Sequence, residues 1–276
     1  MAGRSFPDPG SSVRPKRGIT LTIDLEDPSG LYAPDGRYVF LTKRILDLCD
    51  EFNRHATFFT VGKIVRSAPD LIKEIASRGH EIAYHTHNHV PLTEEIPSRM
   101  RSESYADKNE LEQLTGTPVI GYRAPQYSLT PNTMWALDIL GELGFRYSSS
   151  IMPTNISRFG FPNAQKKPFK WPNGMVEFPL PVKTIGPLSI PYSGGIYLYL
   201  LPSFISKLWL MNADEDEVLW TYAHPYDFDK EEPFHQMPNT PLWISLVLWS
   251  ARRVAEKKVL SVLSCGPEEP LGKRIF

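Results

Sequence analysis

Between residues 19 and 149 one pattern repeats: a short apolar run rich in β-branched or aromatic residues, then a longer segment with apolar residues at helical spacing. Residues 19–24 (ITLTID), 56–61 (ATFFTV), 81–85 (EIAYH), 119–123 and 145–149 read as strands. Residues 38–52 place Phe40, Leu41, Ile45, Leu48 and Phe52 on one helical stripe. Residues 67–78 open with Pro69 near the first turn and stop at Gly79. Residues 93–115, rich in Glu, Arg and Lys, read as a solvated helix, and 130–143 begin at Thr130-Pro131 and end at Gly144. Strands separated by helices dictate parallel pairing, because parallel neighbours need a long crossover. The expected class is α/β, with a sheet that either closes into a barrel or stays open.

After residue 150 the pattern breaks. Proline makes up 26 of 276 residues, and nine of these fall between Pro153 and Pro202. Proline fixes φ and cannot donate to a sheet ladder. The stretch 153–202 is therefore expected to form stiff loops rather than sheet wall, lying over one side of whatever site the first half supplies. Beyond it, 203–211 and 241–257 read as helices, and 218–224 (VLWTYAH) and 259–263 as strands. No linker is visible, so 19–265 is taken as one domain, with 1–18 a flexible arm and 266–276 a tail. The arm has prolines and arginines where a signal peptide needs an apolar run. The most apolar stretches, 195–205 and 242–249, are too short to span a bilayer. A cytoplasmic protein without an integral membrane segment is expected. A net charge of -1 gives no field that would gather nucleic acid. Two cysteines are too few for a disulfide framework or a cysteine metal site. Oligomeric state is not readable.

Chemistry-bearing residues gather at the C-terminal ends of the strands, where parallel α/β proteins place their sites. Asp24-Leu-Glu-Asp27 crowds three carboxylates into four residues, a repulsion that a metal or basic partner relieves and an acidic turn tolerates. His85-Thr-His-Asn-His89 holds three of the seven histidines. Neutral imidazoles suit zinc and other borderline divalent ions, and a spacing of four lets His85 and His89 converge while His87 faces away. Arg123 and His224 each end a strand run; alone, either is more often structural than functional. Taken together they complete a set. A carboxylate and two histidines leave open positions on a metal, a second carboxylate can act as base, a separate histidine can donate a proton, and an arginine can orient the base.

These residues resemble the polysaccharide deacetylase superfamily, the NodB-homology or carbohydrate esterase family 4 fold. His85-Thr-x-x-His89, preceded by Arg78-Gly-His-Glu-Ile82, is similar to its metal-binding histidine motif. Asp24 stands at the position of its base, Arg123-Ala-Pro-x-Tyr127 resembles its arginine motif, and His224 matches its late acid histidine. Val176-Glu-Phe-Pro179 and the run from Ser193 to Pro202 are similar to the branch linked to exopolysaccharide or lipopolysaccharide synthesis. The resemblance covers most of 19–265. It implies an irregular (β/α) barrel of about seven strands and one divalent ion, zinc first, with cobalt, nickel, iron or manganese also admitted. Two departures stand out. Adjacent aspartates of the family are replaced by Asp24-Leu-Glu-Asp27. Residues two apart on a strand share a side, which favours Glu26 as the ligand over Asp27. Ser148 stands where related branches carry an aspartate.

The resemblance implies hydrolysis of an N-acetyl group on an amino sugar or glycan intermediate, with water attacking the amide carbonyl. Glu26, His85 and His89 would hold the ion, Asp24 would act as base, His224 as acid, Arg123 as orienter of Asp24, and Tyr127 as part of the sugar site. Two alternatives remain at this stage: an amidohydrolase acting on a formamido sugar or non-sugar amide, and a non-catalytic carbohydrate-binding protein on the same fold.

Overall fold

The computed structural model describes residues 18–276 except 156, 215, 216, 235, 237–240, 265 and 267. Apart from Gly18, the expected N-terminal arm lies outside the described residues, as does Cys265.

Strands β1 (Thr20–Leu25), β2 (Ala56–Thr60), β3 (Glu81–Tyr84), β4 (Gly121–Tyr122) and β5 (Tyr147–Ser148) lie side by side in chain order, all parallel. The returning helices are α1 (Arg37–Glu51), a short α2 (Gly62–Ser67) followed by α3 (Pro69–Ser77), then α4 (Pro97–Thr115) and α5 (Trp135–Glu142). Proline at the first turn starts α3 and α4, where its missing N–H costs nothing. Gly116, at φ +68°, ends α4 in the left-handed cap that glycine adopts without strain. Strand β1 is buried throughout. Its alternate residues divide the labour: Leu21, Ile23 and Leu25 join the core beneath the helices, while Thr22 and Asp24 bond to Arg123 on the other side of the sheet.

The second half adds β6 (Phe169–Lys170), β7 (Val176–Glu177), the hairpin of β8 (Val182–Ile185) and β9 (Leu188–Pro191), helices α6 (Gly195–Leu200) and α7 (Ser203–Met211), β10 (Trp220–Ala223) and α8 (Leu242–Leu263). The sheet order is β10-β1-β2-β3-β4-β5-β7-β6. Every pairing from β10 to β7 is parallel, which makes seven parallel strands with β6 as an antiparallel edge. The sheet curls until its ends approach. Trp220 Nε1 donates to the Pro179 carbonyl at 3.2 Å, and Gly194 bridges to Tyr222. A Cβ on Gly194 would fall 2.1 Å from the Tyr222 ring, so only glycine permits this closure.

Two expectations are corrected. The Pro-rich stretch does supply wall: β7 pairs with β5, and residues 193–194 bond to β10. Its prolines flank these short pieces rather than interrupt them, so each ladder keeps its donors. Residues 259–263 are not a strand but the last turns of α8. Ala251, Ala255, Val259 and Val262 are buried at helical spacing, and that stripe overrides the β preference of the valines.

On the concave side Phe59, Tyr147, Phe178, Trp220 and Leu271 form a second apolar cluster. The C-terminal segment seals the strand-start end of this cluster: Leu271 is fully buried, its N–H donates to Thr57 Oγ1, and the Gly272 N–H donates to Glu81 Oε2. No helix among the described residues is long and apolar enough to cross a membrane.

Candidate active site

The opposite end of the sheet, where the strands finish, carries the polar residues. β1 runs into Glu26, β3 into His85 and the loop to His89, β4 into Arg123, and β10 into His224. Glu26, His85 and His89 each present a ligand atom, and these atoms lie within 4.8 Å of one another. This is the one such cluster of three among the described residues. Asp27 is excluded from it by its own loop. Its carboxylate accepts the Ser29 N–H at 3.0 Å, the Ser29 hydroxyl at 2.7 Å and the Tyr32 N–H at 3.0 Å, an Asx-type turn that uses both oxygens.

The donor atoms are prepared for a cation. His85 is buried, and its Nδ1 lies 2.8 Å from the Arg123 carbonyl. A carbonyl only accepts, so Nδ1 carries the proton and Nε2 keeps its lone pair. Burial pushes the His85 pKa down to about 4, which keeps the ring neutral. Burial works to raise the Glu26 pKa, but His89, His224 and His85 outweigh it and hold the carboxylate well below its usual range. Glu26 Oε2 meets His89 Nε2 directly, and its other oxygen accepts the Tyr226 hydroxyl at 3.1 Å. A carboxylate oxygen pressed against an imidazole nitrogen calls for a proton or a cation between them. One carboxylate and two imidazoles make a set that a borderline divalent ion satisfies.

Asp24 stands beside this cluster, and Arg123 Nη1 lies 2.5 Å from its Oδ1. Arg123 is completely buried. Its guanidinium donates to Thr22 Oγ1 at 2.9 Å, to Ser149 Oγ at 3.0 Å and to the Ser149 carbonyl at 3.2 Å. The flat group is also sandwiched, 3.9 Å from the Phe59 ring centre and 4.5 Å from that of Trp220. Ser148 does not touch it; its hydroxyl donates to Ser150 Oγ instead. The arginine is thus oriented by one carboxylate, neutral acceptors and two aromatic faces, with no second acid at position 148.

His224 is held from behind by Asp227, with Nδ1 2.9 Å from Asp227 Oδ2, and its Nε2 lies 3.8 Å from Glu26 Oε1. Burial acts to lower its pKa, yet Asp227, Glu26 and Asp24 carry it up to about 9. Tyr127 sits under the site. Its ring packs on Tyr222 and Trp220, and its buried hydroxyl has no hydrogen-bond partner among the described residues. Gln126 and Tyr127 both have φ +56°, a backbone set by the tight 125–127 turn.

Sequence reasoning missed Asp227, Tyr226 and Ser149. For Asp227 a signal was present: an acid three residues after His224, with Pro225 between, is the spacing of a capping box. For Ser149 there was none, because Ser148, Ser149 and Ser150 are interchangeable until the strand is laid in register. Of the Pro-rich stretch, α6 reaches the site: Tyr199 donates its hydroxyl to Asp227 Oδ2 at 2.6 Å.

Known proteins resemble this chain over parts of its length. Residues 12–148 match the family described as polysaccharide deacetylase, and residues 149–265 match a domain of unknown function, DUF3473. The chain is 28% identical over 124 residues to a chitooligosaccharide deacetylase of Bradyrhizobium, which covers 45% of this chain and 50% of that protein. It is 29% identical over 124 residues to a peptidoglycan-N-acetylglucosamine deacetylase of Bacillus cereus, covering 45% and 42%. The matches thus span half or less of the length of these curated relatives. Among solved structures, one from Mycobacterium smegmatis assigned to the polysaccharide deacetylases superposes with a TM-score of 0.55 at 21% identity, covering 98% of this chain and 96% of that one. That likeness establishes the barrel fold.

Proposed function

This chain belongs to the NodB-homology polysaccharide deacetylase superfamily, and on that premise we propose that it is a metal-dependent hydrolase removing the N-acetyl group from an amino sugar or glycan intermediate. The observation that carries this reading is the convergence of Glu26, His85 and His89 with the Asp24–Arg123 pair on one side and His224 on the other. Residues 19–265 would act as one catalytic domain, with the first half supplying the ion and base and the second half the acid.

Glu26, His85 and His89 would hold a divalent cation, which when bound supplies a Lewis acid for the amide oxygen and lowers the pKa of water. Asp24 accepts the proton of the attacking water. Arg123, fixed by two rings and three neutral acceptors, keeps Asp24 aimed. His224 donates a proton to the departing nitrogen, without which an amide cannot expel its amine. Asp227 holds that proton on the ring until it is needed. Tyr127, beside Arg123, would belong to the sugar side of the site.

The test is acetate release from N-acetylated amino sugars and oligosaccharides, run beside formylated and non-sugar amides. Acetate release should stop with a chelator and return on adding a divalent ion. Activity that survives chelation, or saccharide binding with no turnover under any ion, would overturn the reading.

A further inference from the structure

The loop carrying two of the three metal ligands is strained. Thr86 and His89 have φ of +60° and +57°, a region that non-glycine residues enter only under constraint and that a β-branched residue such as Thr86 resists most. Such a conformation persists only where the surroundings over-determine it. Two elements outside the active site supply that constraint. The N-terminal turn of α2 donates from below, with the Gly62 N–H to the Thr86 carbonyl at 2.8 Å and the Lys63 N–H to the His87 carbonyl at 3.1 Å. Helix α4 supplies Asp107, a buried carboxylate whose Oδ2 lies 2.8 Å from His87 Nδ1 and accepts the Tyr84 hydroxyl at 2.9 Å.

The placement of these bonds brackets the ligands. Tyr84 immediately precedes His85, and His87 stands midway between His85 and His89. One oxygen therefore fixes the strand end and the middle of the loop together. That oxygen occupies the space a side chain at position 62 would need, since a Cβ there would fall 1.9 Å from it. Glycine at 62 is what lets the carboxylate reach the loop.

We propose that Asp107, acting through His87, is a positioning residue for the metal centre: it holds the strained loop in the form that directs His85 and His89 at Glu26. This rests on the metal-site reading above and adds to it a residue from a helix that bears no ligand. Neither Asp107 nor His87 touches the cluster; they act through the backbone between the ligands.

The test is a Co²⁺ titration of the full chain, followed by visible absorption, with affinity measured by competition against a chromophoric chelator. Asp107 is buried, so its removal endangers the fold. The His87 side chain is 20% exposed, and variants there carry the experiment. His87→Ala should weaken Co²⁺ binding by about 10- to 100-fold and alter the absorption band, as loss of an outer partner of a metal site does. His87→Asn, whose Nδ2–H can occupy the place of the ring Nδ1–H, should recover most of the affinity and the wild-type band. The metal-free melting temperatures of both variants should stay close to wild type. Wild-type affinity and spectrum in His87→Ala would overturn the brace alone. Weak binding in both variants would show that ring bulk, not the bond to Asp107, holds the loop, and would also overturn it. Wild-type protein that binds no Co²⁺ would overturn the metal-site reading and the brace together.

Discussion

His224 hangs from Asp227: its Nδ1 lies 2.9 Å from Asp227 Oδ2, and the same oxygen accepts the His224 backbone N–H at 2.8 Å. Ring and backbone are thus fixed by a single carboxylate, and the free Nε2 is turned toward Glu26.

The first prediction follows from that bond. Burial pulls the His224 pKa down, and Asp227 leads the causes that lift it to about 9. A raised pKa keeps the ring protonated below about pH 9, so a proton donor at this position loses activity as pH rises past that value. Asp227→Asn removes the leading upward cause. The alkaline limb of kcat/KM should then move to lower pH by at least about one unit. A bound cation lowers the value in both proteins but leaves the direction of the difference. An unmoved limb would assign proton donation elsewhere.

Asp24 and Glu26 lie two residues apart and should separate cleanly. Asp24→Asn should cut kcat by about 10²- to 10⁴-fold, the usual weight of a general base, while retaining divalent-ion affinity. Glu26→Gln should lose both. Parallel kinetics and metal titrations decide it, and equal metal loss in the two variants would contradict the division of roles.

Arg123→Lys keeps the charge but not the fork or the flat face. Ammonium cannot reach Thr22, Asp24 and Ser149 at once, nor fill the sandwich between Phe59 and Trp220. Kinetics with kcat and KM resolved should show kcat falling by about 10²-fold, with KM changed far less, because the arginine acts on the base rather than on the substrate.

Metal removal should be legible in stability as well as rate. An ion that binds only the folded chain adds about 2.7 kcal/mol at a hundredfold excess over its Kd. Dialysis against chelator should lower the melting temperature, and His89→Ala should abolish the difference between metal-loaded and stripped protein.

Gly62→Ala should destabilise the fold by about 1–3 kcal/mol, the common range for overpacking. The new methyl must displace Asp107, which is itself tied to Tyr84 and His87. Urea unfolding measures this directly, and an unchanged midpoint would mean that the carboxylate has room to retreat.

Much of the barrel was legible because its signals are local. Short β-branched runs mark β1 and β2, and Pro69 and Gly79 bound the helix that is α3. What failed was non-local. The valines of 259–263 read as a strand until Ala251 and Ala255 are seen buried on the same helical stripe. The charges of α4 read as a solvated helix, yet Met100, Ser104, Asp107 and Leu111 form a buried stripe in which the one acid braces the histidine loop.

By itself the sequence determined the chemical inventory: carboxylates, imidazoles and an arginine at the ends of apolar runs, in an order that resembles one superfamily. Tertiary structure decided the assignments within it. Glu26 rather than Asp27 joins His85 and His89, because Asp27 is used by its own turn. Ser149 rather than an acid at 148 meets Arg123, because strand register presents alternate residues to the site. The Pro-rich stretch became wall and site edge through Gly194 and Tyr199, whose partners Tyr222 and Asp227 lie 28 residues further along the chain. Side-chain type is written locally, but which lone pairs face one another depends on contacts between distant segments, and only the curled sheet sets those.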